Sequence, residues 1–194
     1  MNNEKTVFGT KEIAFTAILL AICIVSQVFK NLSIFITGPI INAAIILAVL
    51  AINLPCALVL CIITPVTAYF IAASPLMMAI PGIIPLIMVG NAVLAVLIQI
   101  LLKKDMVTTK GTEKLPSKVC KGILCAVAKG AVMGLTISLW VIPTFLPAES
   151  PLRAKMGTFQ MTFSVFQMIT ALIGFVYATF IWMGLKKTMA NPQN

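Results

Sequence analysis

Cys125-Ala-Val-Ala-Lys129-Gly130-Ala-Val-Met-Gly134 places one lysine in a run that otherwise reads as a helix immersed in hydrocarbon. An ionisable side chain at the centre of a membrane helix costs about 2.5 to 3.5 kcal/mol on insertion scales, so it faces protein, water or a ligand rather than lipid. How that lysine is read depends on whether the chain around it belongs in a membrane.

Of 194 residues, 60% are hydrophobic and 10% are charged. A water-soluble domain of this length has too little interior for that share of apolar side chains, so the bilayer is the solvent. At roughly twenty apolar residues per crossing, the chain reads as an all-α membrane protein. It is a single integral-membrane domain over 1–194, with six transmembrane helices at 13–29, 35–52, 55–73, 86–102, 122–145 and 158–185. The first span follows Lys5 and Lys11, but Lys30-Asn-Leu-Ser lacks a small-x-small cleavage pattern, so it reads as a retained helix rather than a signal peptide. Gly38-Pro39 interrupts the second span, whose regular helix is expected only from Ile40. Pro55 suits a first helical turn, and Pro65 is placed to kink the third span. Ser74-Pro-Leu-Met-Met-Ala-Ile-Pro-Gly-Ile-Ile-Pro85 carries no charge and is too apolar for water, so it is expected to fold back over the bundle. The lysine-rich segment 103–121 reads as the one aqueous loop.

The net charge is +9, from 14 Lys+Arg against 5 Asp+Glu. Six spans put both termini on one side, together with Lys5, Lys11, Lys103, Lys104, Lys110, Lys114, Lys118, Lys121, Lys186 and Lys187. Only Lys30, Arg153 and Lys155 fall on the other side. Cytoplasmic loops carry the excess of Lys and Arg, which makes both termini cytoplasmic. The charge is a topology signal, and it does not call for nucleic acid.

With no histidine, the chain has no histidine-based metal site and no Ser-His or Cys-His catalytic pair, and no metal, cofactor or catalytic residue is expected. Its five cysteines form no Cys-x-x-Cys pair and read as buried free thiols. No glycine loop of the G-x-x-x-x-G-K-[ST] kind is present, so the energy for any transport comes from a gradient or a partner. The five acids Glu4, Glu12, Asp105, Glu113 and Glu149 all lie at or beyond the span ends. That weakens a proton- or sodium-coupled mechanism, whose coupling sites use an intramembrane carboxylate.

Lys129, Met133, Thr136 and Trp140 recur at helical spacing, a stripe whose cation, hydroxyl and indole suit an anionic or aromatic small molecule. Gly130, Gly134 and Ser138 beside it form a small-x-x-x-small ridge for close helix contact. The alternative for Lys129 is snorkelling: it lies about 10 Å into a helix that starts at Gly122, and its side chain leans toward the cytoplasmic end. Five amides add to the inventory: Gln27, Asn42, Asn91, Gln160 and Gln167, the last two on one helical face. Each alone reads as an interhelical hydrogen bond worth about 0.6 kcal/mol. Together with Lys129 and Trp140 they read as a pocket opening outward. Ala14, Ala17 and Ala21 give the first span a face that another helix can approach closely.

Six spans with both ends inside, Ala17-x-x-x-Ala21, the apolar proline-rich loop 74–85, Gly90-Asn91, Lys129 and Gln167-Met-Ile-Thr-Ala-Leu-Ile-Gly174 together resemble the substrate-binding S components of energy-coupling factor transporters. The resemblance covers nearly the whole chain. It implies a multi-pass protein of a bacterial cell membrane that captures a vitamin or related micronutrient from outside. It also implies docking through the helix-one alanine face onto a transmembrane T subunit carrying two ATPase subunits, which alone hydrolyse ATP. Carried onto these positions, it makes Ala17 and Ala21 the docking surface and Asn91, Lys129, Trp140 and Gln167 pocket residues. With Thr136 and Gln160 from the residue reading, and Ala14 beside the alanine pair, this completes the set of site candidates. The alternatives are a stand-alone secondary transporter of a small organic solute and a membrane enzyme, the latter without a visible catalytic pair.

Overall fold

A computed structural model describes residues 9–29, 34–108 and 115–190, with side chains described as far as Lys187. Glu4, Lys5, Lys30, Lys110, Glu113, Lys114 and the last four residues of the tail lie outside the described residues. Six helical stretches are long and apolar enough to cross a membrane, and no strand occurs among the described residues. The chain is a multi-pass, all-helical membrane protein. Its helices are α1 (Thr10–Val28), α2 (Ile34–Ala51), α3 (Leu54–Ala72), the short α4 (Pro75–Ala79), α5 (Ile83–Leu101), the short α6 (Lys103–Val107) and α7 (Leu115–Met133). A π-helical segment (Gly134–Val141), α8 (Ile142–Phe145), a 3₁₀ turn (Pro151–Lys155), α9 (Met156–Phe163) and α10 (Val165–Ala190) complete the chain.

The helices alternate in direction. The start of α1, α6, the start of α7 and the end of α10 therefore share one end of the bundle, called here the lysine-rich end. α4, the 3₁₀ turn and the starts of α2 and α9 share the opposite end. At the lysine-rich end Lys121 pairs with Asp105 at 2.8 Å, while Trp182 Nε1 and Lys186 Nζ each donate to Met106 O at 3.0 Å. These bonds tie α6 to α7 and α10.

α2 runs through the middle, buried from Asn42 to Leu50 on every face, as its uniformly apolar sequence requires. α10 lies alongside it. A Cβ added at Gly174 would meet Asn42 Cβ at 2.6 Å and Pro39 O at 2.8 Å, and one at Gly38 would meet Thr170 Cγ2 at 2.8 Å. Both glycines are there so that the two backbones can touch. α1 is the opposite case: Ile13, Ile18, Ile22, Val25 and Val28 are all exposed, an outer helix facing lipid. Ala14, Ala17 and Ala21 lie exposed on the same outer side.

Several boundaries differ from the sequence expectation. α2 begins at Ile34, not Ile40, with Pro39 inside it. Pro39 forfeits only the bond its missing N–H would give to Phe35, near the helix start, and the tight α2–α10 contact holds the turn in place. α7 begins at Leu115 instead of Gly122, so the aqueous loop is shorter than 103–121 and contains α6. Lysines tolerate helical positions when their ammonium groups reach water. Cys120, on that added turn, is exposed, unlike the buried Cys23, Cys56, Cys61 and Cys125. The sixth span breaks at Ser164, whose φ −121 and ψ −86 are not helical.

Two apolar cores result. The larger joins α1, α2, α3, α5, α6, α7 and α10 toward the lysine-rich end. The smaller joins Leu76, Ile80 and Ile83 to Met133, Ile137, Val141, Ile142, Leu146 and Phe163 at the opposite end. Residues 74–85 thus do pack onto the bundle, with Ser74 capping α4 through Met77 N at 3.3 Å.

Replacing Gly174 by leucine inserts a side chain where Asn42 and Pro39 O stand, and overpacking of this kind costs about 1–3 kcal/mol. We expect Gly174→Leu to lower the midpoint of thermal unfolding in detergent. Gly184→Ala is the control, because nothing lies within 4 Å of a Cβ there.

Candidate functional site

Three helices deliver the polar groups of the site. Lys129 Nζ on α7 donates to Asn42 Oδ1 on α2 at 2.5 Å and to Asn91 Oδ1 on α5 at 2.7 Å. An ammonium has three donors and no acceptor, so both asparagines present their oxygens to it. Asn42 Nδ2 donates to Thr170 Oγ1 at 3.4 Å, and that hydroxyl donates to Gln167 O at 3.1 Å, which draws α10 into the network. Among the described residues no carboxylate joins the cluster, and the acid nearest in chemistry, Asp105, is held by Lys121 at the bundle end.

Glycines bring these helices within reach. A Cβ at Gly90 would overlap Met133 of α7, and one at Gly130 would meet Met168 Cβ of α10 at 2.8 Å. Asn91 and Lys129 therefore each stand next to a glycine at the point of closest helix approach, and Gly174 does the same opposite Asn42.

Lys129 is 2% exposed and lies about 21 Å along α7 from Leu115 at 1.5 Å per residue. The early start of the helix and the amide partners overturn the snorkelling alternative. The side chain is held inside the bundle by its two amide partners.

The three residues border a cavity of about 250 Å³ in the half of the bundle away from the lysine-rich end. Its walls include Thr37, Ile41, Thr64, Pro65, Ala68, Met77, Ile87, Phe159, Phe163 and Gln167. Gln27 lies behind the wall, donating to Thr64 O at 3.0 Å, with its Oε1 unpartnered among the described residues.

Of the sequence candidates, the structure brings Asn91, Lys129 and Gln167 to this cavity, and not Thr136, Trp140 or Gln160. Trp140 is 58% exposed and stacks edge-on with Phe145, so no indole roofs the lysine. For Trp140 the cause is the π-helical winding from Gly134, which turns less per residue than an α-helix and has carried the chain off the Lys129 face by that point. Thr136 spends its hydroxyl on Val132 O at 2.7 Å. Gln160 does not share a face with Gln167, because the break at Ser164 separates them. Instead Gln160 Nε2 donates to Ser138 O at 2.9 Å and Ser138 Oγ donates to Gln160 O at 2.8 Å, fastening α9 to the π-helical segment beside an open groove. The small ridge Gly130, Gly134 and Ser138 faces this α9–α10 junction.

Sequence reasoning counted Asn42 only as one of five amides, and it proves to be half of the lysine's anchorage. Its signal was its depth, matching that of Lys129 on another apolar span. Thr158 and Thr162, four apart on α9 with Phe159 and Phe163, also line the cavity and carry a helical spacing that the sequence displayed. Thr37 and Thr64 carried no signal. Compared with protein-family models, curated proteins and solved structures, the chain matches none.

Hydrogen bonds to a charged group contribute about 1.5–3 kcal/mol each. We expect Asn42→Leu, which leaves the lysine with one amide partner, to destabilise the protein by about 2 kcal/mol. Adding Lys129→Met should recover most of that loss, since an apolar replacement of the whole buried group is better tolerated than half of it. Unfolding of both variants in detergent measures this, and a double variant no more stable than Asn42→Leu would refute the coupling.

Proposed function

We propose that the protein is the solute-capture subunit, or S component, of an ATP-driven energy-coupling factor importer in a bacterial cell membrane, with a vitamin or similar micronutrient as cargo. One observation carries the reading: a six-helix membrane protein holds a cavity lined by a buried lysine that is positioned by two asparagines from two other helices. Fixing a lysine there has no structural necessity, because an apolar side chain fills a helix junction at lower cost. A preformed, mostly apolar cavity with a few convergent polar groups is what small-molecule recognition uses.

In this reading the lysine-rich end is cytoplasmic, and so are both termini. Lys11, Lys103, Lys104, Lys118, Lys121, Lys186 and Lys187 belong to that end, against Arg153 and Lys155 at the other. The cavity then occupies the outer half of the membrane, suited to capture from outside. The exposed Ala14, Ala17 and Ala21 on α1 support a docking face for a transmembrane T subunit. Two ATPase subunits bound to that partner supply the energy, and this chain performs no catalysis.

Lys129→Ala should weaken solute binding roughly tenfold or more, the worth of one or two charge-assisted hydrogen bonds, while leaving co-purification of the T subunit and ATPases intact. Ala17→Trp should do the reverse. Gradient-driven uptake by the isolated protein in liposomes, with no partner recovered from cells, would overturn the proposal in favour of a stand-alone secondary transporter.

A further inference from the structure

The cavity's chemistry narrows its ligand further, on the footing that the cavity is the solute site. Among the described residues lining it, Lys129 is the only one that ionises as a cation, and none is an acid. Two of its three donors are committed to Asn42 and Asn91. One lysine N–H remains, and beside it the Asn91 amide N–H₂, which makes no hydrogen bond to another described residue. The base of the cavity therefore offers one positive charge and a small set of adjacent donors.

A carboxylate brings one negative charge and two acceptor oxygens, and it balances that base. A phosphate monoester carries close to two charges and three oxygens. Its second charge would face walls made of Ile41, Pro65, Ala68, Met77, Phe159 and Phe163, where an unpaired ion is heavily penalised. A dicarboxylate meets the same obstacle. An organic cation meets repulsion from Lys129.

The walls also carry a polarity. Thr37, Thr64 and Thr162 each donate their hydroxyl hydrogen to a backbone carbonyl, those of Ser26, Leu60 and Thr158, at 2.9, 2.8 and 2.7 Å. Their oxygens are left as acceptors only. Ser74 and Gln167 also bring donors to the lining, but the three threonine acceptors favour a ligand with a hydroxyl or amino donor on its body. Size sets the last bound. A cavity of about 150 Å³ holds benzene, so one of about 250 Å³ takes a single substituted ring or a short chain of equal bulk.

We infer that the site is built for a small monocarboxylate whose otherwise apolar body carries a hydrogen-bond donor, and that it rejects phosphate esters, dicarboxylates and cations. Benzoate, 3-hydroxybenzoate, benzamide, phthalate, phenyl phosphate and benzylamine are suitable probes, titrated calorimetrically against the full chain in lipid nanodiscs. The expected order places 3-hydroxybenzoate first and benzoate second. Benzamide, phthalate, phenyl phosphate and benzylamine should follow roughly ten- to hundredfold weaker. Lys129→Met should abolish the preference for benzoate over benzamide. If that variant fails to fold, Asn91→Leu should shrink the same preference. Benzamide or phenyl phosphate binding as tightly as benzoate, with all binding lost in Ala68→Trp, overturns the ligand class and leaves the capture reading standing. No probe binding to the wild-type cavity also overturns the ligand class, while the capture reading then stands or falls on recovery of the T subunit and ATPases.

Discussion

A lysine ammonium in the middle of a bilayer-embedded helix must have its donors met inside the protein, because hydrocarbon offers no acceptor. Asn42 and Asn91 meet two of them, and in doing so they fix α2, α5 and α7 at one depth. Much else in the fold follows from that convergence. Three glycines, Gly90, Gly130 and Gly174, thin the helix junctions at the three anchoring positions, so that short amide side chains reach a lysine they otherwise could not. The network then passes from Asn42 through Thr170 to α10.

The same constraint explains why there is a cavity rather than a packed core. On one side of the lysine the bundle closes over a continuous apolar core from α1 to α10, and on the other α4 and α9 cap a separate, smaller one. The polar cluster sits where neither core extends. α9 is positioned by an exchange of hydrogen bonds between Gln160 and Ser138 and by the break at Ser164, and it contributes one wall of the cavity. An outer helix, α1, takes no part in that wall and leaves its alanine face free on the bundle exterior.

Length and hydropathy alone revealed the membrane class and the six spans, because a bilayer imposes both on any crossing helix. Lys129 and Asn91 were legible as misfits in apolar runs. What escaped was whatever depends on departure from regular winding or on tertiary convergence. Trp140 follows Lys129 at α-helical spacing, yet the π-helical winding from Gly134 rotates it away, and nothing in a 3.6-residue period announces it. Gln160 and Gln167 fail as a pair for a similar reason, since Ser164 looks like any other serine in a helix. Asn42 showed its polarity but not its partner, because which face of α2 meets α7 is decided by packing across 87 positions of chain.

The central claim is that Lys129, held by Asn42 and Asn91, is the anchor for a solute in the adjacent cavity. An experimental structure of the protein in lipid with its co-purified or added solute tests it most directly. The account predicts ligand density in the cavity with an anionic group within hydrogen-bond distance of Lys129 Nζ and the two asparagines in place. A ligand seated elsewhere, or a Lys129 side chain extended to the membrane interface with the cavity collapsed, would contradict it.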